Sequence, residues 1–168
     1  PFDEERLMNF VKRAVENFKL KNENKVLETK LFHSFDLIGN SQNIEKIREQ
    51  IEKLSNSESR IFIYGPTGSG KELIARKIHK LSKRNKGPFI ILNGALLDVK
   101  KYELELFGEE KENGSITYGS LEKASGGTLL IDEISEIPLE TQSKILRVLI
   151  DQKFRRINSN HDIKVNVR

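Results

Sequence analysis

A glycine-rich stretch, residues 65–71, constrains the fold of this chain more than any other feature. It consists of Gly65, Pro66, Thr67, Gly68, Ser69, Gly70 and Lys71. An apolar run from Ile61 to Tyr64 precedes it, and an amphipathic segment from Glu72 to Arg84 follows it. Between a strand and a helix, Gly-x-x-x-x-Gly-Lys is typical of a phosphate-binding loop, because its backbone N–H groups turn toward a phosphate and its lysine contacts the β and γ oxygens. The sequence therefore predicts a strand–loop–helix unit that binds a nucleoside phosphate at the helix N-terminus.

The residue after Lys71 departs from the usual pattern of such loops. Most of them place Ser or Thr there, and the hydroxyl reaches magnesium. Here the position holds Glu72, so it offers the metal no hydroxyl. The alternative for the whole stretch is a glycine-rich turn without a ligand, and the strand and helix patterns on either side argue against it.

A second stretch, from Gly126 to Glu133, carries further chemistry. Its apolar part is typical of a buried strand, and two adjacent carboxylates, Asp132 and Glu133, end it. The carboxyl end of this strand should share a sheet edge with the phosphate-binding loop, since ligands of open α/β sheets bind at that edge. Asp132 is then predicted to hold magnesium through water, and Glu133 to act as the base for an attacking water. Two surface acids at a strand end are the alternative interpretation.

Composition limits the class of protein. Of the 168 residues, 36% are hydrophobic and 32% are charged, which is typical of a folded domain with exposed helices. The absence of cysteine excludes disulfides and thiolate metal sites. No apolar run is long enough to span a membrane, and we expect a cytoplasmic protein with no membrane contact. A basic cluster between Lys77 and Lys86 suits a nucleic-acid surface or a solvated helix face, and the lack of aromatic residues among its charges favours the second.

Helix and strand patterns alternate along the rest of the chain. Apolar spacing predicts helices that begin after Asp3, after Asn40 or Ser41, and at Pro138. The apolar run from Phe89 to Leu92 and the alternating stretch from Ile163 to Val167 predict further strands. This alternation indicates an α/β fold.

From about Phe35 to Arg168 the chain resembles the AAA+ ATPase domain of bacterial enhancer-binding regulators of the NtrC type. The motifs that carry the resemblance are the stretches 65–72, 105–108, 126–134 and 142–149, followed by Phe154, Arg155 and Arg156. The resemblance implies a P-loop AAA+ fold, with three layers around a parallel sheet, here truncated and preceded by a long linker helix. It also implies ATP and Mg²⁺ as cofactors. Glu72 after the lysine is normal in that family and belongs to its nucleotide-binding segment.

The resemblance also assigns roles to two residues outside these motifs. It implies that Ile38 and its neighbours line the adenine pocket. Asn93, at the end of the strand that starts at Phe89, would hold Glu133 in an inactive pose until the state of the γ phosphate changes. The alternative for Asn93 is a side chain that only closes the turn after a strand.

The opening residues resemble another part of such regulators. Pro1-Phe2 is similar to the last helix of a phosphoacceptor receiver domain, and the residues up to about Lys30 are similar to its coiled linker. The resemblance thus divides the chain into residues 1–31, the receiver end and linker helix, and residues 32–168, an AAA+ core incomplete at its C-terminus. We expect an interior fragment of a two-component response regulator, whose receiver core would meet a histidine kinase and whose carboxyl-terminal domain would bind DNA.

One departure from the family concerns its partner. Members that activate the alternative sigma factor sigma-54 carry Gly-Ala-Phe-Thr-Gly-Ala after their Leu-Phe-Gly segment, and this loop touches sigma-54. Here the stretch from Glu109 to Gly119 is shorter and lacks the hexapeptide, although Ile116 to Gly119 leaves a degenerate remnant open. The departure favours an NtrX-like regulator whose nucleotide state controls oligomerisation, without sigma-54 contact.

Two other functions stay as alternatives. One is an active sigma-54-dependent ATPase that remodels RNA polymerase holoenzyme, and binding to sigma-54 would decide between it and the NtrX-like regulator. The other is a DNA-handling AAA+ motor such as a helicase loader. The Leu106-Phe107-Gly108 and Gly126-Gly127-Thr128 signatures disfavour the motor.

Two expectations follow from the motif order of the family. Its first sensor residue, arginine fingers and lid lie beyond the equivalent of Arg168, so we expect weak nucleotide binding and little or no hydrolysis; phosphate release at a normal AAA+ rate would contradict this. The strand that flanks Ile61 to Tyr64 in the family also lies beyond Arg168. Because an apolar edge strand pairs readily with another chain, we expect self-association, to be checked by the mass in solution at high concentration.

Overall fold

The computed structural model describes residues 8–9, 11–13, 15–16, 18–19, 36–97 and 101–168 of the chain. It divides into two compact units, Pro1–Ile38 and Gly39–Arg168. In the first unit the described residues between 8 and 19 are helical, as the apolar spacing predicts. The predicted cap at Asp3 and the part of the predicted linker from residue 20 to Lys30 lie outside the described residues. Among all described residues, no helix is long and apolar enough to cross a membrane.

The second unit alternates helices and strands. Its helices are α1 (Gln42–Ser55), α2 (Lys71–Leu81), α3 (Tyr102–Phe107), α4 (Ser120–Lys123) and α5 (Leu139–Asp151), with 3-10 turns at Gly94–Leu96 and Ile134–Glu136. Its strands are β1 (Phe89–Asn93), β2 (Gly108–Glu110), β3 (Ile116–Tyr118), β4 (Thr128–Asp132), β5 (Lys153–Phe154) and β6 (Ile163–Lys164). Helix α1 begins at one of its two predicted caps, because Ser41 Oγ accepts a hydrogen bond of 3.4 Å from the Ile44 N–H.

The two apolar runs predicted as buried strands form a parallel pair. Strand β1 pairs with β4 in a register that runs from Phe89 opposite Thr128 to Asn93 opposite Asp132. The polar residues that end the two strands therefore lie at one edge of the sheet. The parallel pairing confirms the predicted α/β class and is consistent with a truncated AAA+ fold.

The strand predicted over Ile61 to Tyr64 is wrong. These four residues precede the loop without joining any ladder among the described strands. A strand exists only where a neighbour accepts its backbone hydrogen bonds, and the start of β4 is already bonded on both sides. Besides β1, its start bonds the end of the chain, since the Leu129 N–H donates to the Arg168 carbonyl at 2.9 Å. The four side chains still alternate in burial. Ile61 and Ile63 are half-buried, whereas Phe62 is 77% and Tyr64 is 92% exposed.

The strand predicted from Ile163 to Val167 forms in part. Residues Ile163–Lys164 make β6, which pairs antiparallel with β5. The chain then leaves β5 and runs along the start of β4, where the Gly126 N–H donates to the Asn166 carbonyl at 2.9 Å. Val165 and Val167 are buried on the way. One alternating stretch thus serves two different sheets.

An apolar cluster lies between the β1–β4 pair, helices α3 to α5 and the β5–β6 hairpin. Its buried members are Leu92, Tyr102, Leu106, Phe107, Leu121, Ala124, Ile137, Ile145, Val148, Phe154, Val165 and Val167. A paired charge closes its edge, where Arg156 donates to both carboxylate oxygens of Glu122 at 2.7 and 2.6 Å. The Glu122 hydrogen bonds raise the pKa of Arg156. Such a bidentate pair holds the β5–β6 region against α4.

Helix α2 packs on this sheet through a buried histidine. His79 is 7% exposed, and its Nδ1 lies 2.9 Å from Thr128 Oγ1 on β4. Its ring lies 5.1 Å from the Phe89 ring on β1. Burial lowers the pKa of His79 below its ordinary value.

The buried histidine makes the stability of the fold depend on pH. Since the pKa of His79 is lower in the folded chain, the unfolded chain binds more protons once the pH falls below about 6.5. The contribution of neutral His79 to the free energy of unfolding should be fully present above that pH and should be lost as the pH falls toward the folded-state pKa. We expect the free energy of unfolding from urea titrations between about pH 8 and pH 5 to fall less steeply for His79→Asn. Parallel pH profiles for the two proteins would contradict this.

Candidate nucleotide-binding site

The glycine-rich stretch forms an open loop at the start of α2. Gly68 and Gly70 have φ angles of 79° and 90°, in the left-handed region that favours glycine, and Gly70 is the N-cap of the helix. A Cβ atom at either glycine would meet nothing within 4 Å. The loop turns tightly, because the Ser69 N–H donates to the Pro66 carbonyl at 3.2 Å. The backbone thus has the curvature and the free space of a phosphate cradle.

Lys71 connects the loop to the acidic strand end. Its Nζ donates to the carbonyls of Gly65 and Pro66, both at 3.3 Å. The same Nζ lies 3.5 Å from Glu133 Oε1, and the two side chains are 19% and 30% exposed. The two stretches that the sequence singles out therefore meet at one place, as the shared sheet edge predicts.

Asp132 and Glu133 end β4 in different conformations. Asp132 is the last strand residue, and its Oδ1 accepts a hydrogen bond of 3.1 Å from the Glu133 N–H. Glu133 has a φ of 50°, which is uncommon for a residue with a side chain and is found where surrounding structure imposes it. Asp132 thus ends the strand, and Glu133 is the N-cap of the 3-10 turn that follows.

The donor set suits magnesium rather than a metal held by protein alone. Within the described residues no group of three or more His, Cys, Asp or Glu side chains could hold a metal ion. Magnesium is usually bound by one or two carboxylates together with waters and substrate phosphates. Asp132 beside an open phosphate cradle fits that description.

Asn93 is engaged with its own turn. Its Oδ1 accepts a hydrogen bond of 2.9 Å from the Ala95 N–H and so caps the 3-10 turn Gly94–Leu96. Asn93 lies opposite Asp132 in the sheet, and Asp132 directly precedes Glu133 in the chain. The structure thus brings Asn93 to the correct edge, and its restraint of Glu133 stays a prediction.

Ile38 has a predicted contact with adenine. It belongs to the N-terminal unit and is 91% exposed. Its contact with adenine therefore stays a prediction. Glu72, by contrast, lies in the first turn of α2, and its Oε1 accepts a hydrogen bond of 2.7 Å from Arg76 Nε.

Two side chains that carry no site prediction support the segment after Glu133. The Tyr102 hydroxyl donates to the Gly94 carbonyl at 2.5 Å and lies 3.3 Å from the Glu136 carbonyl. Gln142 Nε2 donates to the carbonyls of Ile134 and Ile137 at 3.0 and 2.8 Å. Tyr102 offers no sequence signal, because its partners are set by the tertiary fold, whereas Gln142 lies in one of the recognised motifs.

The basic cluster after the loop is partly structural. Arg84 donates to Glu58 Oε2 at 2.7 Å and to the Asn166 carbonyl at 2.9 Å. The hydrogen bond from Arg84 lowers the pKa of Glu58. Since Arg84 ties three segments together, its charge is used within the fold, in line with the helix-face interpretation.

Comparison with known proteins gives a consistent result. Residues 37–168 match the family model described as the sigma-54 interaction domain. The chain is 43% identical over 169 residues to the nitrogen assimilation regulatory protein NtrX of Azorhizobium caulinodans, covering 100% of this chain and 37% of the relative. It spans little more than a third of that relative.

Comparison with solved structures also finds NtrX proteins. A crystal structure of NtrX from Brucella abortus is 43% identical, with a TM-score of 0.85 over 100% of this chain and 37% of the other. The same protein in complex with ATP gives a TM-score of 0.80 at 43% identity, over 100% of this chain and 36% of the other.

Proposed function

The chain belongs to the sigma-54 interaction domain family, and from this premise we propose that it is the ATP-binding AAA+ module of a cytoplasmic two-component transcriptional regulator of the NtrX type. In that regulator the nucleotide state controls oligomerisation. Two further domains complete the regulator. One is a receiver domain, which meets a histidine kinase, and the other is a DNA-binding domain. The 43% identity to NtrX of Brucella abortus, which was solved with ATP, supports this proposal.

The observation that carries the proposal is the position of Lys71 between the loop and Glu133. Its ammonium group contacts two loop carbonyls and one carboxylate oxygen, and all three are weaker partners than a polyphosphate. When ATP is bound, Lys71 contacts β and γ phosphate oxygens and the N–H groups from Gly68 to Lys71 surround the phosphates. Glu133, released from Lys71, would then orient a water and take its proton as the water oxygen attacks the γ phosphorus and ADP leaves.

Asp132 is the residue that would hold Mg²⁺. The ion supplies charge neutralisation for the phosphates when bound. Asp132 Oδ1 keeps its hydrogen bond to the Glu133 N–H, so the carboxylate is held in place by the backbone of the neighbouring catalytic residue. Asn93 adds the restraint on Glu133 that the family resemblance implies, and Ile38 the contact with adenine.

The β2–β3 hairpin, in the stretch that lacks the hexapeptide, supports the NtrX-like regulator over the sigma-54-dependent ATPase. Strands β2 and β3 pair antiparallel, and the Lys111 N–H donates to the Ser115 carbonyl at 2.9 Å. The connection is therefore a tight turn that closes on itself. It is also tied down at its base, since the Glu110 N–H donates to the Ile157 carbonyl at 3.0 Å. The family match itself favours the second candidate, a sigma-54-dependent ATPase, and a pull-down with purified sigma-54 separates the two.

Self-association is part of this proposal. The segment from Ile61 to Tyr64 has no ladder partner among the described strands and exposes Phe62 and Tyr64. An extended apolar segment with open backbone groups pairs readily with a second copy.

The test is calorimetric titration with ATP, with and without Mg²⁺, of this chain and of Asp132→Asn. The asparagine keeps the oxygen that bonds the Glu133 N–H and removes the charge. We expect ATP affinity in Mg²⁺ to fall roughly tenfold in the variant, the effect of losing one charge-assisted contact, and not to fall in EDTA, where loss of the carboxylate charge only relieves repulsion of the phosphates.

Asp162→Asn is the matched control. Asp162 is paired with Arg155 and Lys153 on the β5–β6 hairpin. This substitution should leave both affinities unchanged. A parent chain that binds no ATP, or an Asp132→Asn protein with the full magnesium effect, would count against the proposal.

A further inference from the structure

The proposed function gives no role to Glu72, the residue that replaces the usual hydroxyl. Its side chain is 47% exposed, and its Oε1 accepts the hydrogen bond from Arg76 Nε, one helical turn further along α2. The order, with the acid N-terminal to the base at a spacing of four, is the favourable one on a helix. The carboxylate is therefore drawn toward the middle of α2 and away from the end that faces the loop.

The location of Glu72 makes its charge important. It follows Lys71 directly and lies in the first turn of α2, where backbone N–H groups attract anions. A phosphate group bound at that end would lie close to a carboxylate of the same sign. Without a neutralising partner, the two negative charges would repel each other.

Arg76 is held from the side of the sheet as well. Its guanidinium carbon lies 5.0 Å from the centroid of the Phe89 ring, at the first residue of β1. The Arg76 side chain is 30% exposed. Stacking on an aromatic face restricts a guanidinium group, so the position of Arg76 beside Glu72 is set by β1 as well as by α2.

We propose that Arg76 is a positioning residue for the nucleotide site: it holds the Glu72 carboxylate along α2 and neutralises it, so that the loop presents no uncompensated negative charge to the phosphates of magnesium–ATP. This inference rests on the proposed nucleotide binding. Arg76 acts through Glu72 and needs no contact with ATP of its own. It follows that removing the Arg76 charge harms binding only while Glu72 keeps its own charge.

A double-mutant cycle tests this. ATP is titrated with Mg²⁺ into the 168-residue parent, Arg76→Gln, Glu72→Gln and the double variant. Glutamine at position 76 keeps methylene groups against Phe89 and removes the charge. We expect Arg76→Gln to weaken ATP binding roughly 5- to 10-fold, the effect of one uncompensated charge near the site, and the loss to shrink in about 0.5 M salt. The double variant should return to within about twofold of the parent.

Controls separate this role from a structural one. Arg147→Gln removes another pair of the same spacing, with Asp151 on α5 at 3.6 Å, and should leave ATP affinity unchanged. Unfolding midpoints show that each variant is folded. If Arg76→Gln bound ATP as well as the parent does, the inference would be overturned and the proposed function would stand. Tighter ATP binding by Arg76→Gln, with the released Glu72 carboxylate as a magnesium ligand, would have the same meaning. A double variant that binds ATP as weakly as Arg76→Gln would also overturn the inference alone. A parent chain that binds no ATP would overturn both the inference and the proposed function.

Discussion

Lys71→Ala should weaken magnesium–ATP binding on the order of 100-fold. Lys71 is the cation of the loop, and it already lies against the carbonyls of Gly65 and Pro66 and the carboxylate of Glu133. A charge-assisted hydrogen bond contributes about 1.5–3 kcal/mol, and each 1.4 kcal/mol is tenfold in affinity. Loss of the contacts to two phosphates therefore removes about two orders of magnitude. Calorimetric titration of ATP into both proteins measures the difference.

The matched control for this variant is Lys80→Ala. Lys80 is exposed on the same helix, and its removal lowers the net charge by the same amount. Its ATP affinity should stay within about twofold of the parent, since a distant exposed charge is largely screened. Equal affinities for Lys71→Ala and the parent would mean that the loop does not bind phosphate.

The stability of Lys71→Ala should change little. The contact with Glu133 is 3.5 Å long, and both side chains are partly exposed. Exposed pairs of this kind contribute about 0–1 kcal/mol. Unfolding in urea should therefore show nearly the same midpoint for both proteins, which separates an effect on binding from an effect on folding.

Local patterns in the sequence predict the local parts of this fold. The apolar spacing from Ile44 to Leu54 predicts α1, and Ser41 caps it. The runs that begin at Phe89 and Thr128 predict β1 and β4, because a short apolar run is typical of a buried parallel strand. In each case the information that decides the structure lies within a few residues.

The Ile61 to Tyr64 segment shows where local patterns fail. Its composition suits a strand, yet a strand also needs a neighbour with free backbone groups, and the start of β4 is already bonded on both sides. The pairing of a strand is decided by the whole sheet. Composition alone therefore predicts the extended backbone and the alternating burial, but not the ladder.

The candidate site shows the same division. Motif spacing predicts that Lys71 and Asp132 approach one sheet edge, since both follow from the α/β topology. The hydrogen bonds of Tyr102, which joins the Gly94 and Glu136 carbonyls, depend on the tertiary packing of α3. No short-range pattern signals such a contact. The same holds for the pairing of Arg156 with Glu122.

Gly127→Ala should be the most destabilising substitution of a glycine next to β4. A Cβ atom at Gly127 would lie 1.9 Å from the Pro88 carbonyl oxygen and 2.7 Å from the Pro88 nitrogen. These are backbone atoms, so no side chain can move aside. We expect a loss of about 3 kcal/mol or more in the free energy of unfolding, measured by urea titration, because overpacking against backbone forces the strands apart.

Gly126→Ala is the control from the neighbouring position. Gly126 has a φ of 80°, and a Cβ atom there would meet nothing within 4 Å. Its cost is therefore that of a left-handed residue with a side chain, about 1–2 kcal/mol. If Gly127→Ala were no less stable than Gly126→Ala, the close approach of Gly127 to Pro88 would not be needed.

The effect of Gly127→Ala should extend to the site. The Thr128 N–H donates to the Pro88 carbonyl at 2.9 Å, and this bond begins the register that ends with Asn93 opposite Asp132. A side chain at position 127 forces this first bond to open, and the strands must separate or shift. Since a shift of one residue turns side chains to the opposite face, the Asp132 carboxylate would change its position relative to the loop. Any folded Gly127→Ala protein should therefore lose the magnesium-dependent part of ATP binding, whereas folded Gly126→Ala should keep it.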